Sequence, residues 1–245
     1  MTTLTLDRVE ALRRTPGRSV LFFLTDRCPV GCAHCSVDST VGGRTISDFE
    51  MLRRIFEDLA ESPIIELVGV SGGEPFVERR GLSLAVDVIR SADKQMVVYT
   101  SGVWAHGRIP SWIHGVLSRV QCVFLSFDSF HRAAVNDATF ARAAAAIVDA
   151  GPHLVVQVLD ESSTLSRAKQ LMDDLFTHHG RGSYEMNLIR PLPYGRGNSI
   201  FALQTHVSVD KLGKCGAMAA GVVRYDGRVS ACCNERIIMG HGPRD

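Results

Sequence analysis

The sequence predicts an α/β fold: a parallel sheet curled into a partial (β/α)6 barrel, followed by a small C-terminal β-hairpin extension. Three observations predict it. Apolar runs of strand length alternate six times with segments of helical period. Those runs are nearly continuous in apolar residues, as strands covered on both faces are. Six units are too few to close an eight-stranded barrel, so the sheet stays open.

The expected strands are residues 19–25, 64–71, 95–101, 120–127, 153–159 and 184–189. Helices are expected at 47–60, 80–91, 111–117, 137–150 and 165–178. The clearest is 47–60, where Ser47 and Glu50 read as a capping box and Phe49, Leu52, Ile55, Phe56 and Leu59 form an apolar stripe. After Leu192 the texture changes: Pro191, Pro193, Gly195, Gly197 and Asn198 mark a loop. Residues 221–232 read as a β-hairpin around the Asp226-Gly227 turn. The organisation expected is an N-terminal arm at 1–18, the partial barrel at 19–200 and the extension at 201–245.

Composition excludes several classes. The chain has 245 residues, 45% hydrophobic and 22% charged, the profile of a globular protein. Its net charge of +1 provides no field for nucleic acid or an anionic membrane. No apolar run approaches the ~20 residues that span a bilayer, and residues 1–14 do not resemble a signal peptide. A cytoplasmic location is therefore expected. In that reducing setting the seven cysteines are expected to bind metal where they cluster rather than to pair as disulfides.

The chemistry-bearing motifs all fall at carboxyl ends of expected strands, where parallel α/β folds collect functional groups. Cys28, Cys32 and Cys35 follow the first strand; Ser71-Gly72-Gly73-Glu74-Pro75 follows the second; Thr100 and Ser101 end the third; Ser126 and Asp128 end the fourth. Three thiolates on one loop can hold three irons of a cubane 4Fe–4S cluster and leave the fourth iron open to a ligand. Structural zinc is the bland alternative, but it takes four protein ligands in tetrahedral geometry, and His34 beside Cys35 would strain a shared site. Gly72 and Gly73 let backbone polar groups approach a small ligand, and Glu74 can accept from an ammonium group. Thr100 and Ser101 offer hydroxyls at the height of a ribose or carboxylate, or cap a loop. Ser126 and Asp128 share strand parity and are expected to face the barrel interior. Asp128 reads equally as a catalytic group or a helix cap, His131 as a surface histidine, and Cys122 as a core thiol.

The spacing C-x3-C-x2-C, followed by Gly72-Gly73-Glu74-Pro75, resembles the radical S-adenosylmethionine superfamily over residues 19–192. The resemblance implies a catalytic 4Fe–4S cluster on Cys28, Cys32 and Cys35, with S-adenosylmethionine chelated at the open iron. Reductive cleavage then gives a 5′-deoxyadenosyl radical that abstracts hydrogen from a substrate. Ser71 to Pro75, Thr100, Ser101 and Ser126 would contact S-adenosylmethionine. His34 occupies the position where the family usually carries an aromatic residue beside the adenine.

Cys215, Gly227 and Cys232 in turn resemble the start of the SPASM or twitch extension, in which a hairpin gathers cysteines at an auxiliary Fe–S cluster. The full extension has four further cysteines that this sequence lacks. Three readings stand: an auxiliary cluster, with Cys215 and Cys232 among its ligands and an open or non-cysteine fourth position; a vestigial or truncated extension without a cluster; or Cys233 (or Cys232) as a thiol hydrogen-atom donor. The extension tilts the expected substrate toward a ribosomal peptide in natural-product maturation, crosslinked or epimerised. The same chemistry on a sugar or aminocyclitol is the alternative, and a non-catalytic iron–sulfur redox protein is the rival from another class. Expected partners are an electron donor such as flavodoxin or ferredoxin and, for a peptide substrate, a separate peptide-recognition protein or none, since about eighteen residues precede the first strand, too few for a fused one.

Overall fold

The computed structural model describes residues 3–160, 162–179, 184–201, 208–211 and 215–241. Its centre is a sheet of strands β1 (Ser19–Phe23), β2 (Leu67–Ser71), β3 (Gln95–Thr100), β4 (Cys122–Phe127), β5 (His153–Leu159) and β6 (Tyr184–Ile189). These pair in parallel, each with its sequence neighbour. Helices α2 (Phe49–Glu61), α3 (Arg79–Ser91), α4 (Ser111–Leu117), α5 (Asp137–Ala150) and α6 (Ser162–His179) make the crossovers. The expected alternation is thus present, and the sheet does not close.

Strand parity sorts the side chains into two cores. Phe22, Val68, Val70, Met96, Val98, Val123, Leu125, Leu154 and Val156 point outward and pack under the helices, against Leu52, Phe56, Leu82, Ile89, Phe140 and Ile147. On the inner face, Leu67, Val97, Cys122, Phe124 and Val155 fill the amino-terminal half of the lumen. Cys122 is fully buried, as expected of a core thiol. Further along the same inner face the residues turn polar: Ser71, Tyr99, Ser126 and Gln157 line a cavity at the carboxyl-terminal rim.

The first residues form more than an arm. Helix α1 (Leu6–Arg14) is capped by Thr5, whose side chain accepts from the Arg8 amide. It plugs the lumen from below, with Leu4, Val9 and Leu12 buried against Leu67, Val97, Phe124 and Val155. The cap of α2 also differs from expectation. Asp48 rather than Ser47 is the N-cap, and its carboxylate accepts from the Glu50 and Met51 amides at 3.0 and 2.9 Å.

Beyond β6, strand β7 (Gly221–Arg224) runs parallel to β1, and β8 (Val229–Ser230) returns antiparallel to β7. The expected hairpin exists, with Gly227 in the left-handed region at its turn (φ 80°). It extends the main sheet on the β1 side rather than standing apart from it. A short helix α7 (Glu235–Ile238) follows. Among the described residues no helix is long and apolar enough to cross a membrane.

If α1 is a structural plug, Leu12→Ala removes a side chain from a closed core and costs about 2–5 kcal/mol. Denaturant unfolding of the two proteins measures this; an unchanged midpoint would mean that α1 is a detachable arm.

Candidate active site

The cysteine loop leaves the end of β1 and folds back on itself. The Cys28 amide donates to the Thr40 carbonyl at 2.8 Å, the Asp26 amide to Arg44 at 2.8 Å and the Thr40 amide to Asp26 at 3.2 Å. Within the loop, the Cys35 amide donates to the Cys32 carbonyl at 3.2 Å. Cys28 and Cys32 are buried and Cys35 half-buried, and all three line one cavity of about 320 Å3 at the rim. Burial pushes the Cys28 thiol up to about 11, against the Val30 and Gly31 backbone groups, which favour its thiolate.

Gly72 and Gly73 line the same cavity. Their lack of side chains serves first a backbone contact with the cysteine loop. A Cβ on Gly72 (φ 142°) would lie 2.6 Å from the Thr25 carbonyl oxygen, and one on Gly73 would lie 2.3 Å from that of Arg27. The Gly73 amide donates to Thr25 at 2.6 Å and the Glu74 amide to Arg27 at 2.9 Å.

Glu74 is fully buried and does not line the cavity. Its carboxylate accepts from the Thr100 hydroxyl at 2.7 Å, the Ser101 amide at 2.9 Å, the Ser101 hydroxyl and the Phe76 amide at 3.2 Å. Burial raises its pKa, and the hydrogen bonds from Ser101 and Thr100 oppose the rise. The side chain expected to meet an ammonium group therefore ties the second loop to the third. Thr100 and Ser101 meet both Glu74 and the cavity. Pro75 begins a short 3-10 turn (Pro75–Val77) and stays outside the cavity.

Ser126 and Asp128 both face the cavity, as their parity predicts. Asp128 is buried and does two things at once. It caps the turn after β4, accepting from the Phe130 and His131 amides at 2.8 and 3.0 Å, and it also binds His131 Nδ1. Its second carboxylate oxygen lies 3.5 Å from His34 Nε2. His34 stacks on Phe130 with ring centroids 4.6 Å apart. His131 is not the surface residue that its sequence context suggests: its side chain is 14% exposed. Burial disfavours its charge, but the hydrogen bonds to Asp128 and Cys32 outweigh that and push it up to about 10.

The C-terminal cysteines separate. Cys233 lines the cavity. Cys215 is exposed, ahead of β7, and Cys232 is half-buried beyond β8; neither lines the cavity. Sequence reading missed Tyr99 and Gln157, polar side chains on the inner parity of otherwise apolar strands, which was the available signal. It also missed Arg13, Arg190 and Glu235 in the same lining; nothing local marks these. Burial raises the Cys233 pKa, opposed by the Arg13 charge.

The donor set suits an iron–sulfur cubane. All three groups are soft thiols. Among the described residues, ligand atoms that all lie within 4.8 Å of one another occur in the His34–Asp128–His131 group, and no such group contains the three cysteines. One zinc would need its sulfurs at that closeness, given Zn–S bonds of ~2.3 Å; separate irons of one cubane do not.

Glu74→Gln would set an amide donor against hydroxyl and amide donors. It should cost about 1–3 kcal/mol in urea unfolding of the metal-free protein, whereas a carboxylate held for a ligand alone would be replaceable at no cost.

Comparison with known proteins agrees with this architecture. The chain is 25% identical over 118 residues to the putative peptide biosynthesis protein YydG of Bacillus subtilis, a match covering 47% of this chain and 37% of YydG. In fold it resembles Streptococcus suis SuiB bound to its precursor peptide SuiA (TM-score 0.59, 10% identity), over 97% of this chain and 64% of SuiB. It also resembles anSMEcpe with bound AdoMet (TM-score 0.54, 18% identity), over 72% of this chain and 52% of that one. The chain thus spans less than two thirds of these relatives' lengths. The family model for the Radical SAM superfamily matches residues 22–153, from β1 to the start of β5, and the chain belongs to that superfamily of enzymes.

Proposed function

We propose that this chain modifies a peptide by radical chemistry, with hydrogen abstracted at one face of a residue and returned by Cys233. The observation that carries the reading is that Cys28, Cys32, Cys35, Gly72, Gly73 and Cys233 line one cavity. Cys28, Cys32 and Cys35 hold the 4Fe–4S cluster. The backbone of Gly72 and Gly73, with Ser71, Thr100, Ser101 and Ser126, receives S-adenosylmethionine, while Glu74 and Pro75 shape that turn from behind. When bound, the reduced cluster and S-adenosylmethionine supply a primary carbon radical that takes a hydrogen atom from the substrate. Asp128 orients His34 beside the nucleoside and holds His131 in place.

Cys233 keeps its proton at neutral pH, because burial raises its pKa. Its S–H bond can therefore break homolytically, giving a hydrogen atom to the substrate carbon radical and leaving a thiyl radical. One electron from a flavodoxin- or ferredoxin-type donor and one proton from water restore the thiol. The net change is inversion of a stereocentre, so epimerisation fits Cys233 better than a crosslink does. A peptide substrate is supported by what YydG and SuiB are named for: peptide biosynthesis, and a bound precursor peptide. An auxiliary cluster on Cys215 and Cys232 would lie outside the cavity lining and belongs to electron transfer.

Reconstituted anaerobically and reduced, the protein should convert S-adenosylmethionine to 5′-deoxyadenosine, and Cys32→Ala should not. With a candidate precursor peptide in deuterated water, the wild type should place one deuterium at the altered carbon. Cys233→Ala should still cleave S-adenosylmethionine but yield no deuterated epimer; an unchanged product would remove Cys233 from the reaction.

A further inference from the structure

The cysteine loop is gripped by two arginines that lie beyond the region matched by the family model. Arg196 belongs to a short 3-10 turn after β6, Gly195–Ser199. Its Nε donates to the Cys32 carbonyl at 3.0 Å and an Nη to the Ser39 carbonyl at 2.9 Å. Its backbone amide donates to the Cys35 carbonyl at 3.0 Å. The approach is close enough that a Cβ on the preceding Gly195 (φ 54°) would lie 2.5 Å from the Cys35 oxygen.

The other grip is at the base of the loop. Arg224, the last residue of β7, is buried. One Nη donates to both oxygens of Asp26, at 2.9 and 2.8 Å, and the other to the Ile238 carbonyl at 3.1 Å. The Tyr225 hydroxyl donates to the same carboxylate at 2.7 Å. The Arg224 guanidinium also lies over the Phe23 and Tyr225 rings, 5.2 Å from each centroid. Asp26 stands two residues before Cys28, and its own backbone closes the loop against Thr40 and Arg44. The buried guanidinium needs the half-buried carboxylate, because a buried charge left without its partner is strongly unfavourable. The two Nη atoms of the rigid guanidinium serve Asp26 and the Ile238 carbonyl separately, a division that a single lysine ammonium cannot reproduce.

We infer that Arg224 is a positioning residue for the iron-binding loop, acting through Asp26, with Arg196 fixing the far half of that loop. Strand β7 pairs with β1 in register through Phe23↔Arg224, so the C-terminal segment completes the catalytic cluster site. The resemblance to an auxiliary-cluster extension does not call for this role. The inference rests on the proposal that Cys28, Cys32 and Cys35 ligate the cluster.

The test uses the full chain with Arg224→Met, Asp26→Asn and the double variant, in two measurements. In iron-loaded protein, each single variant should lose iron to a chelator about tenfold faster than wild type, in the range found for partners that orient metal ligands. The double variant should be no worse than the worse single, because the two act as one unit. Arg224→Lys should not restore the wild-type rate. In iron-free protein, amide hydrogen exchange across residues 26–44 should quicken in Arg224→Met while β3 to β5 exchange as in wild type. Unchanged loop exchange, or additive effects on iron loss, would overturn the inference. If Arg224→Met fails to fold, Asp26→Asn, which preserves volume, decides on both readouts. If the wild type takes up no iron, the cluster proposal fails, yet the exchange measurement still reports whether Arg224 holds the loop.

Discussion

Two backbones pressed together without intervening side chains are the constraint on which the rest of the site depends. Residues 25–28, leaving β1, lie against residues 72–74, leaving β2. Hydrogen bonds join Gly73 to Thr25 and Glu74 to Arg27. Any Cβ at 72 or 73 would overlap a carbonyl oxygen. The parallel sheet brings the two strand ends to one rim; the glycines let the loops close on each other there. The cysteines and the proposed ligand-binding turn are thereby one rigid object rather than two neighbouring loops.

Around that object, buried or half-buried acidic side chains come in partnered sets. Glu74 is surrounded by hydroxyl and amide donors from Thr100, Ser101 and Phe76. Asp128 faces His131 and His34. Asp26 faces Arg224 and Tyr225. Each set joins a different strand end to its neighbour: β2 to β3, the turn after β4 to the cysteine loop, and β7 to the base of that loop. Buried polar groups that hydrogen-bond one another across strand ends fix geometry, which the proposed radical chemistry needs more than it needs net stability. The apolar half of the lumen, plugged by α1, closes the cavity from below.

Much of this was legible in the sequence, for a physical reason. Strands β1 to β5 are apolar runs with periodicity of their own, and the candidate site motifs sit immediately after β1 to β4, so local pattern sufficed. What escaped depends on contacts distant in sequence. Helix α1 is short and charged, and its apolar residues gain meaning when Leu67, Val97 and Phe124 present a lumen to fill. Ser47 satisfies the capping-box pattern, but Asp48 sits at the position where the chain turns. His131 reads as surface until Asp128 is seen to bury with it. Arg224 is one arginine among many along the chain, and its value comes from Asp26, 198 residues away. The hairpin at 221–232 was visible in the Asp226-Gly227 turn, but its pairing with β1 leaves no local trace.

The proposed chemistry requires the cysteine triplet to present an iron with a vacant coordination site to S-adenosylmethionine. Low-temperature electron paramagnetic resonance of the reduced, reconstituted protein tests it most directly. Adding S-adenosylmethionine should shift the g-values of the 4Fe–4S signal, because amino and carboxylate groups then bind one iron. A cluster whose spectrum is indifferent to S-adenosylmethionine would be saturated by protein ligands and would contradict the account.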